Sequence, residues 1–467
     1  MQVKESGFIA DMREACARLC EALGARFPYA SVLLQDTRSA RWSVSAAGIS
    51  MRVNPAFTGR GAVIRVNDGS GYGEYALNDF CAADIPAIVA RLAGMSPLPG
   101  DDPAPEMPEA LSFHKATTCE IDPEEMGGEK IVARLEELRA EALKMDARLL
   151  DCMVGFDYQV IHKRFVAGGR ALEQDLMWSS CMINCIARRG DEVKECYRAF
   201  SMRGGAEILD RLRASIGTCV DGVIALLDSQ SIEPGVYDCV CAPPVTGIIA
   251  HEAFGHGVEM DMFVKKRAQA EAFVGQKIAS SMVTMHDTAS SAAQTGSFFF
   301  DDEGTLAGDT IIIKDGVLAA GMCDLLSAER LGAKPTGNGR RESFERKAYA
   351  RMTNTFFEGG TDSVDDMIAS IGDGFLLESA ASGMEDPKNW GIQLMVDMAR
   401  EIKDGKLTGR VFSPVVLTGY VPDLLKSISM MSPDVELSGA GACGKGYKEW
   451  AKVSEGGPYI KARIRLG

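Results

Sequence analysis

Histidine is scarce in this chain, at five residues in 467, and tryptophan is scarcer still at four. No run approaches the ~20 consecutive apolar residues that span a bilayer, and the best candidate, GVLAAGMCDLL at 316–326, is soon interrupted, so no membrane span is predicted. The start, MQVKESGFIADMREACARL, lacks a charged segment followed by an apolar one, so no secretory leader is expected and the chain is assigned to the cytoplasm. Lysine and arginine nowhere form a long block. With a formal charge of −15 and a pI near 5.0, the chain repels phosphate backbones and acidic lipid, which disfavours nucleic acid and membrane as direct partners. The dense cysteine spacing of a disulfide-stapled secreted domain is missing too. Thirteen cysteines, an odd number, are scattered along the sequence, as expected of buried thiols in a reducing compartment. There is no fixed-period repeat.

What the chain does have is an ordinary globular composition, 46% hydrophobic and 25% charged, over a length that exceeds one usual core. Residues 8–23 read as an amphipathic helix stopped at Gly24, followed by the alternating runs ASVLLQ, ARWSVS, ISMRV and AVIRV. Cys16 and Cys20, and likewise Cys181 and Cys185, are spaced as on one helix face, whereas Cys239 and Cys241 alternate as on a strand. The stretch 97–109, PLPGDDPAPEMPE, reads as an exposed loop, and helices are predicted over 129–150 and 206–227. A turn-rich segment at 228–244 marks a boundary between an N-terminal domain, 1–230, of helices and antiparallel strands and a C-terminal domain, 231–467, that is mainly antiparallel β. Strands are expected in SFFFDDEG, DTIIIKDGVLAAG and FSPVVLTG, with helices near His251, Thr361 and Pro422. Elements do not alternate in a regular βα rhythm, so the fold class is α+β rather than a doubly wound sheet.

Two of the five histidines fall in one short run, His251-Glu252-Ala253-Phe254-Gly255-His256. Histidines four apart on an α-helix lie about 40° apart and can share a metal; five apart, they diverge by roughly 140°. Either the pair holds no metal, and the histidines belong to the core or the surface, or the helix widens locally. One π-type turn would return residues i and i+5 to a single face, and Gly255 would ease it. Glu252, beside the first histidine, would then be placed as a general base, and Glu259 could support His256 or be a solvated carboxylate. A third donor is sought in Gly439–Gly446, where Cys443 is the candidate and Lys445 could favour its thiolate, although a cysteine in a glycine loop is more often structural.

With these residues in view, the sequence resembles the TldD/PmbA family, whose metal-bearing members are peptidases once described as modulators of DNA gyrase. HEAFGHGVE resembles the family's H-E-x-x-x-H segment and GACGKG its late cysteine motif, with GSFFFDDEG, TGNGRRESF and RMTNTFF between them in family order. The resemblance implies that His251, His256 and Cys443 hold zinc while Glu252 activates water. It also implies a two-subunit assembly, with either an identical partner or a relative lacking the histidine motif. Two stretches depart from the family: the basic run Val264-Lys265-Lys266-Arg267 and Tyr447-Lys448-Glu449-Trp450. Asp301 to Gly304 read as an acidic hairpin turn, Arg340-Arg341 as a solvated pair, and Arg351 to Thr355 as a possible edge along a groove for an extended peptide.

The functional expectation is therefore a cytoplasmic zinc peptidase acting on short or unfolded polypeptides. The alternative is a peptide-binding partner of the same fold without catalysis, against which the intact His251, Glu252 and His256 set argues. A DNA-associated regulator is disfavoured by the charge.

Overall fold

The helix Gly7–Gly24 begins at Ser6, whose hydroxyl accepts the Ile9 N–H at 3.3 Å, and buries Ile9, Met12, Cys16, Leu19, Cys20 and Leu23 at i, i+3, i+4 spacing. It packs on a sheet of eight strands. This arrangement comes from a computed structural model, which describes residues 1–54, 57–446 and 448–467.

The sheet runs in the order Tyr72–Leu77, Gly59–Asn67, Tyr29–Ser45, Leu149–Ala167, Arg170–Arg189 and Leu111–Ala116. Gly48–Arg52 and Glu192–Met202 are added as hairpin partners, and only Leu111–Ala116 pairs in parallel. One face carries Val32, Leu34 and Ile64 against the first helix, and Val154, Phe156 and Ile183 against the helices Gly128–Leu143 and Ile208–Leu226. The other face carries Leu33, Val63, Phe165 and Trp178, which pack on Phe298 and Phe300 from later in the chain. Because both faces are covered, long stretches of these strands are buried without alternation.

Several sequence expectations change here. ASVLLQ and ARWSVS lie in a single strand, Tyr29–Ser45. The helix expected over 129–150 stops at Leu143, and residues from Leu149 open a strand of 19 residues. Cys181 and Cys185 lie on a strand, not a helix; i and i+4 share a sheet face as well as a helix face. SFFFDDEG is mostly irregular, since Phe298 and Phe300 serve as plugs against the sheet and form no ladder of their own. Gly304 closes that segment at φ +79°, and a Cβ there would lie 2.1 Å from the Phe165 ring, so both backbone and space require glycine.

Beyond residue 234 the strands are again mainly antiparallel, and the molecule is α+β throughout. Asp373–Asp386, Gly235–Cys241, Ile460–Leu466, Val415–Tyr420 and Gly391–Lys403 pair in that order, and the pairing of the last with the first closes the sheet on itself. Inside sit Cys239, Cys241, Leu377, Leu394, Val396 and Leu417. A second sheet of six strands includes Met285–Thr288, Asn354–Phe357 and Ser454–Gly457. Among the described residues no helix is long and apolar enough to cross a membrane.

Phe300, 1% exposed, is the wedge between the eight-stranded sheet and the C-terminal half. Phe300→Ala is expected to lower stability by about 3–5 kcal/mol in urea denaturation, the usual cost of emptying a buried phenylalanine site. An unchanged midpoint would show that this contact contributes nothing to the join.

Candidate metal centre

Strand Gly235–Cys241 leaves the closed sheet and runs directly into the helix Pro243–Ala250, which has prolines in its first turn where no N–H is needed. The helix is buried on almost every side. Where it reaches His251 the winding widens: His251–Gly255 form a π turn in which the His256 N–H donates to the His251 carbonyl. The five-residue separation thus becomes an adjacency, with imidazole centroids 5.1 Å apart and ring planes at 88°. Gly255 is required less by its backbone angles than by space, because a Cβ there would meet the Met352 sulfur at 2.1 Å.

Cys443 arrives from 187 residues away, on the two-stranded hairpin Cys443–Lys445 and Lys448–Ala451, and places its Sγ 3.2 Å from His256 Nε2. One donor atom from each of His251, His256 and Cys443 lies within 4.8 Å of the other two. Burial pushes the Cys443 thiol up, but hydrogen bonds with His251 and His256 outweigh it and bring it down to about 5. His251 Nδ1 is buried and has no hydrogen-bond partner among the described residues; its nearest acid is Glu455, at 3.8 Å. Two imidazoles, one of them with an unsatisfied ring nitrogen, and a low-lying thiol form a donor set that fits a borderline-soft divalent ion.

Glu252 lies on the same π turn, 9% exposed, and burial raises its carboxyl above the usual range against the pull of both histidines. Glu259 is no surface carboxylate: it is 1% exposed and accepts from His256 Nδ1 at 3.3 Å. Its other contacts are Arg351 at 3.3 Å and Lys445 at 3.0 Å. Burial alone would raise the Glu259 carboxyl, yet Lys445, His256 and Arg351 hold it well below the usual range. Arg351 also donates to the Cys443 carbonyl at 2.9 Å and to that of Glu449, so one guanidinium fastens the hairpin to the acid that orients His256.

The structure corrects three sequence readings. Lys445 does not act on the thiol; its Nζ lies between Glu259 and Asp261, and the histidines account for the lowered Cys443. Arg351 to Thr355 offer no peptide edge, because they are buried and Asn354–Phe357 is flanked on both sides by Met285–Thr288 and Ser454–Gly457. Arg340 and Arg341 are buried rather than solvated, as are Asp301, Asp302 and Glu303, although these acids do form the expected turn. Of the late departure, Tyr447 lies outside the described residues.

Two acids near the centre escaped sequence reasoning. Glu455 sits beside His251, and Glu385 lines a cavity of about 400 Å³ together with His256, Glu259, Tyr349 and Lys445. No motif marks either one. Burial, opposed by His256 and reinforced by Glu252 and Glu259, pushes Glu385 up to about 9. A second group, Glu5, His114 and Glu173, also comes within 4.8 Å, but Arg13 and Arg164 already neutralise Glu173.

Residues 234–463 match the PmbA/TldA metallopeptidase C-terminal domain. Over this stretch the chain resembles the PmbA/TldD family. A protein of Methanothermobacter thermautotrophicus named "Metalloprotease" is 31% identical over 286 residues, which span 60% of this chain and 61% of that one. A protein of Saccharolobus solfataricus named "Zinc metalloprotease TldD homolog" is 28% identical over 314 residues, 66% of this chain and 69% of that one. The crystal structure of TldE from Thermococcus kodakarensis shares the fold, with a TM-score of 0.76 at 17% identity over 96% of this chain and 99% of that one.

Replacing Glu259 by Gln removes the charge that Arg351 and Lys445 share. Chelator competition is expected to show metal affinity about 10–100-fold weaker, since His256 loses its orienting partner. Denaturation is expected to show a loss of about 3–5 kcal/mol, the cost of stranding a buried charge. Unchanged metal affinity would mean that Glu259 does not orient His256.

Proposed function

We propose that the chain is a zinc-dependent peptidase acting on short or unfolded polypeptides, with zinc held by His251, His256 and Cys443 and with Glu252 as general base. The observation that carries this reading is the meeting of two imidazoles and one sulfur within 4.8 Å, with Glu252 on the very turn that aligns the histidines. The relatives named as metalloproteases support it, one of them as a zinc enzyme.

When bound, zinc supplies Lewis acidity toward a carbonyl oxygen and lowers the pKa of water to about 7. Glu252 accepts the proton of the attacking water and returns it to the leaving amine, so one carboxyl serves both halves of the reaction. His256 is fixed by its bond to Glu259, which determines that Nε2 faces Cys443. Arg351 holds the hairpin carbonyls and keeps the sulfur in place. The buried setting around Glu252 limits competing water. The shared fold with TldE supports a second subunit of the same architecture as partner.

Glu252→Gln is expected to lower peptide hydrolysis by about 10²–10⁴-fold while elemental analysis still finds zinc at the wild-type level. Cys443→Ala is expected to lose zinc and activity together. Full hydrolysis by Glu252→Gln would exclude the assigned base, and full zinc in Cys443→Ala would exclude the assigned ligand.

A further inference from the structure

The strand Asp373–Asp386 runs beside the π turn, and its alternate residues meet successive parts of the centre. Gly383 lies against Glu252, where a Cβ would sit 2.7 Å from the Glu252 Cγ; two residues on, Glu385 presses its Oε1 to within 2.9 Å of where a Cβ on Gly257 would be. The period-two geometry of a strand makes this unavoidable: whatever occupies position 385 faces the same side as position 383. Glycine at 383 leaves room for the Glu252 side chain. Glutamate at 385 delivers a carboxylate to the wall of the cavity that His256 also lines.

Both oxygens of that carboxylate are buried, and neither has a hydrogen-bond partner among the described residues. Two neighbouring acids, by contrast, are paired. Glu259 has His256, Arg351 and Lys445; Asp261 has Lys265 and Lys445. Lys265, Arg267 and Lys445 line the same cavity, yet none of them forms an ion pair with Glu385 among the described residues. A buried carboxylate without donors is costly, and a fold normally supplies them. Glu385 lines the cavity, and an incoming molecule there can provide both the donors and the opposite charge when the side chain turns toward it. Glu455, 3.8 Å from His251, is a further acid at the centre.

We propose that Glu385 is a specificity-determining residue that receives a cationic nitrogen of the substrate, either a free α-ammonium or a basic side chain, and seats it beside His256. This rests on the peptidase reading, and it makes positively charged peptides the preferred class.

The test separates the subsite from the chemistry. Binding is measured by calorimetry on zinc-supplemented Glu252→Gln protein, which retains the cavity without turning peptides over. The probes are acetylated, amidated tetra-alanine peptides with either lysine or norleucine at the second or third position, and the norleucine peptides with a free amino terminus. At least one charged probe is expected to bind about tenfold or more tightly than its neutral counterpart, the scale of one charge-assisted hydrogen bond. The lysine and free-amine arms tell which nitrogen is read. In Glu252→Gln chains that also carry Glu385→Gln or Glu385→Leu, the ratio is expected to fall to about one while affinity for the neutral peptide is kept. No charged preference in the Glu252→Gln chain, no binding of any probe, or a preference that persists in either Glu385 variant would overturn the proposal. Failure of the wild-type chain to cleave these peptides, with the binding ratio intact, would count against the peptidase reading alone.

Discussion

A single backbone hydrogen bond, from the His256 N–H to the His251 carbonyl, determines whether the two imidazoles can meet at all. In a regular α-helix the two imidazoles would diverge by roughly 140°, and no later contact could reunite them. One extra residue in the turn brings them edge to face. The cost of poorer helical geometry is borne where the chain is most tightly enclosed: Phe254 is fully buried against Trp390, and Gly255 sits under Met352. The wide turn is therefore imposed by its surroundings.

Charge balance around Glu259 is the next dependency. A fully buried carboxylate needs compensation, and it finds an imidazole, a guanidinium and an ammonium, each of which has a second duty. The imidazole faces the thiol, the guanidinium grips the hairpin carbonyls, and the ammonium bridges to Asp261. Orientation of the donors and attachment of the distant hairpin are one network rather than two.

Much of this was legible in the residues. The i, i+5 spacing of His251 and His256 left two options, no shared metal or a π turn, and the structure contains the turn. The first helix and the 206–227 helix follow from apolar periodicity, and serines, Ser6 and Ser363, cap the first helix and the short one near Thr361. The long strands between Leu149 and Met202 were not legible. With both faces covered, alternation disappears, and the strands bury Gln159, His162, Arg164, Gln174 and Asp175, polar residues that resemble surface positions until their cross-strand neighbours are known. The same physics hid Glu385 and Glu455, since an acid in a polar-looking stretch carries no sign that its oxygens point inward.

The hairpin that bears Cys443 has a temporal consequence. Its sulfur joins two imidazoles made at least 187 residues earlier, and the strands that pin the neighbouring sheets, Ser454–Gly457 and Ile460–Leu466, are later still. During synthesis the histidines leave the ribosome long before their third companion exists. A nascent chain shorter than 443 residues therefore holds an incomplete donor set, and an interrupted translation product leaves behind an unarmed protein.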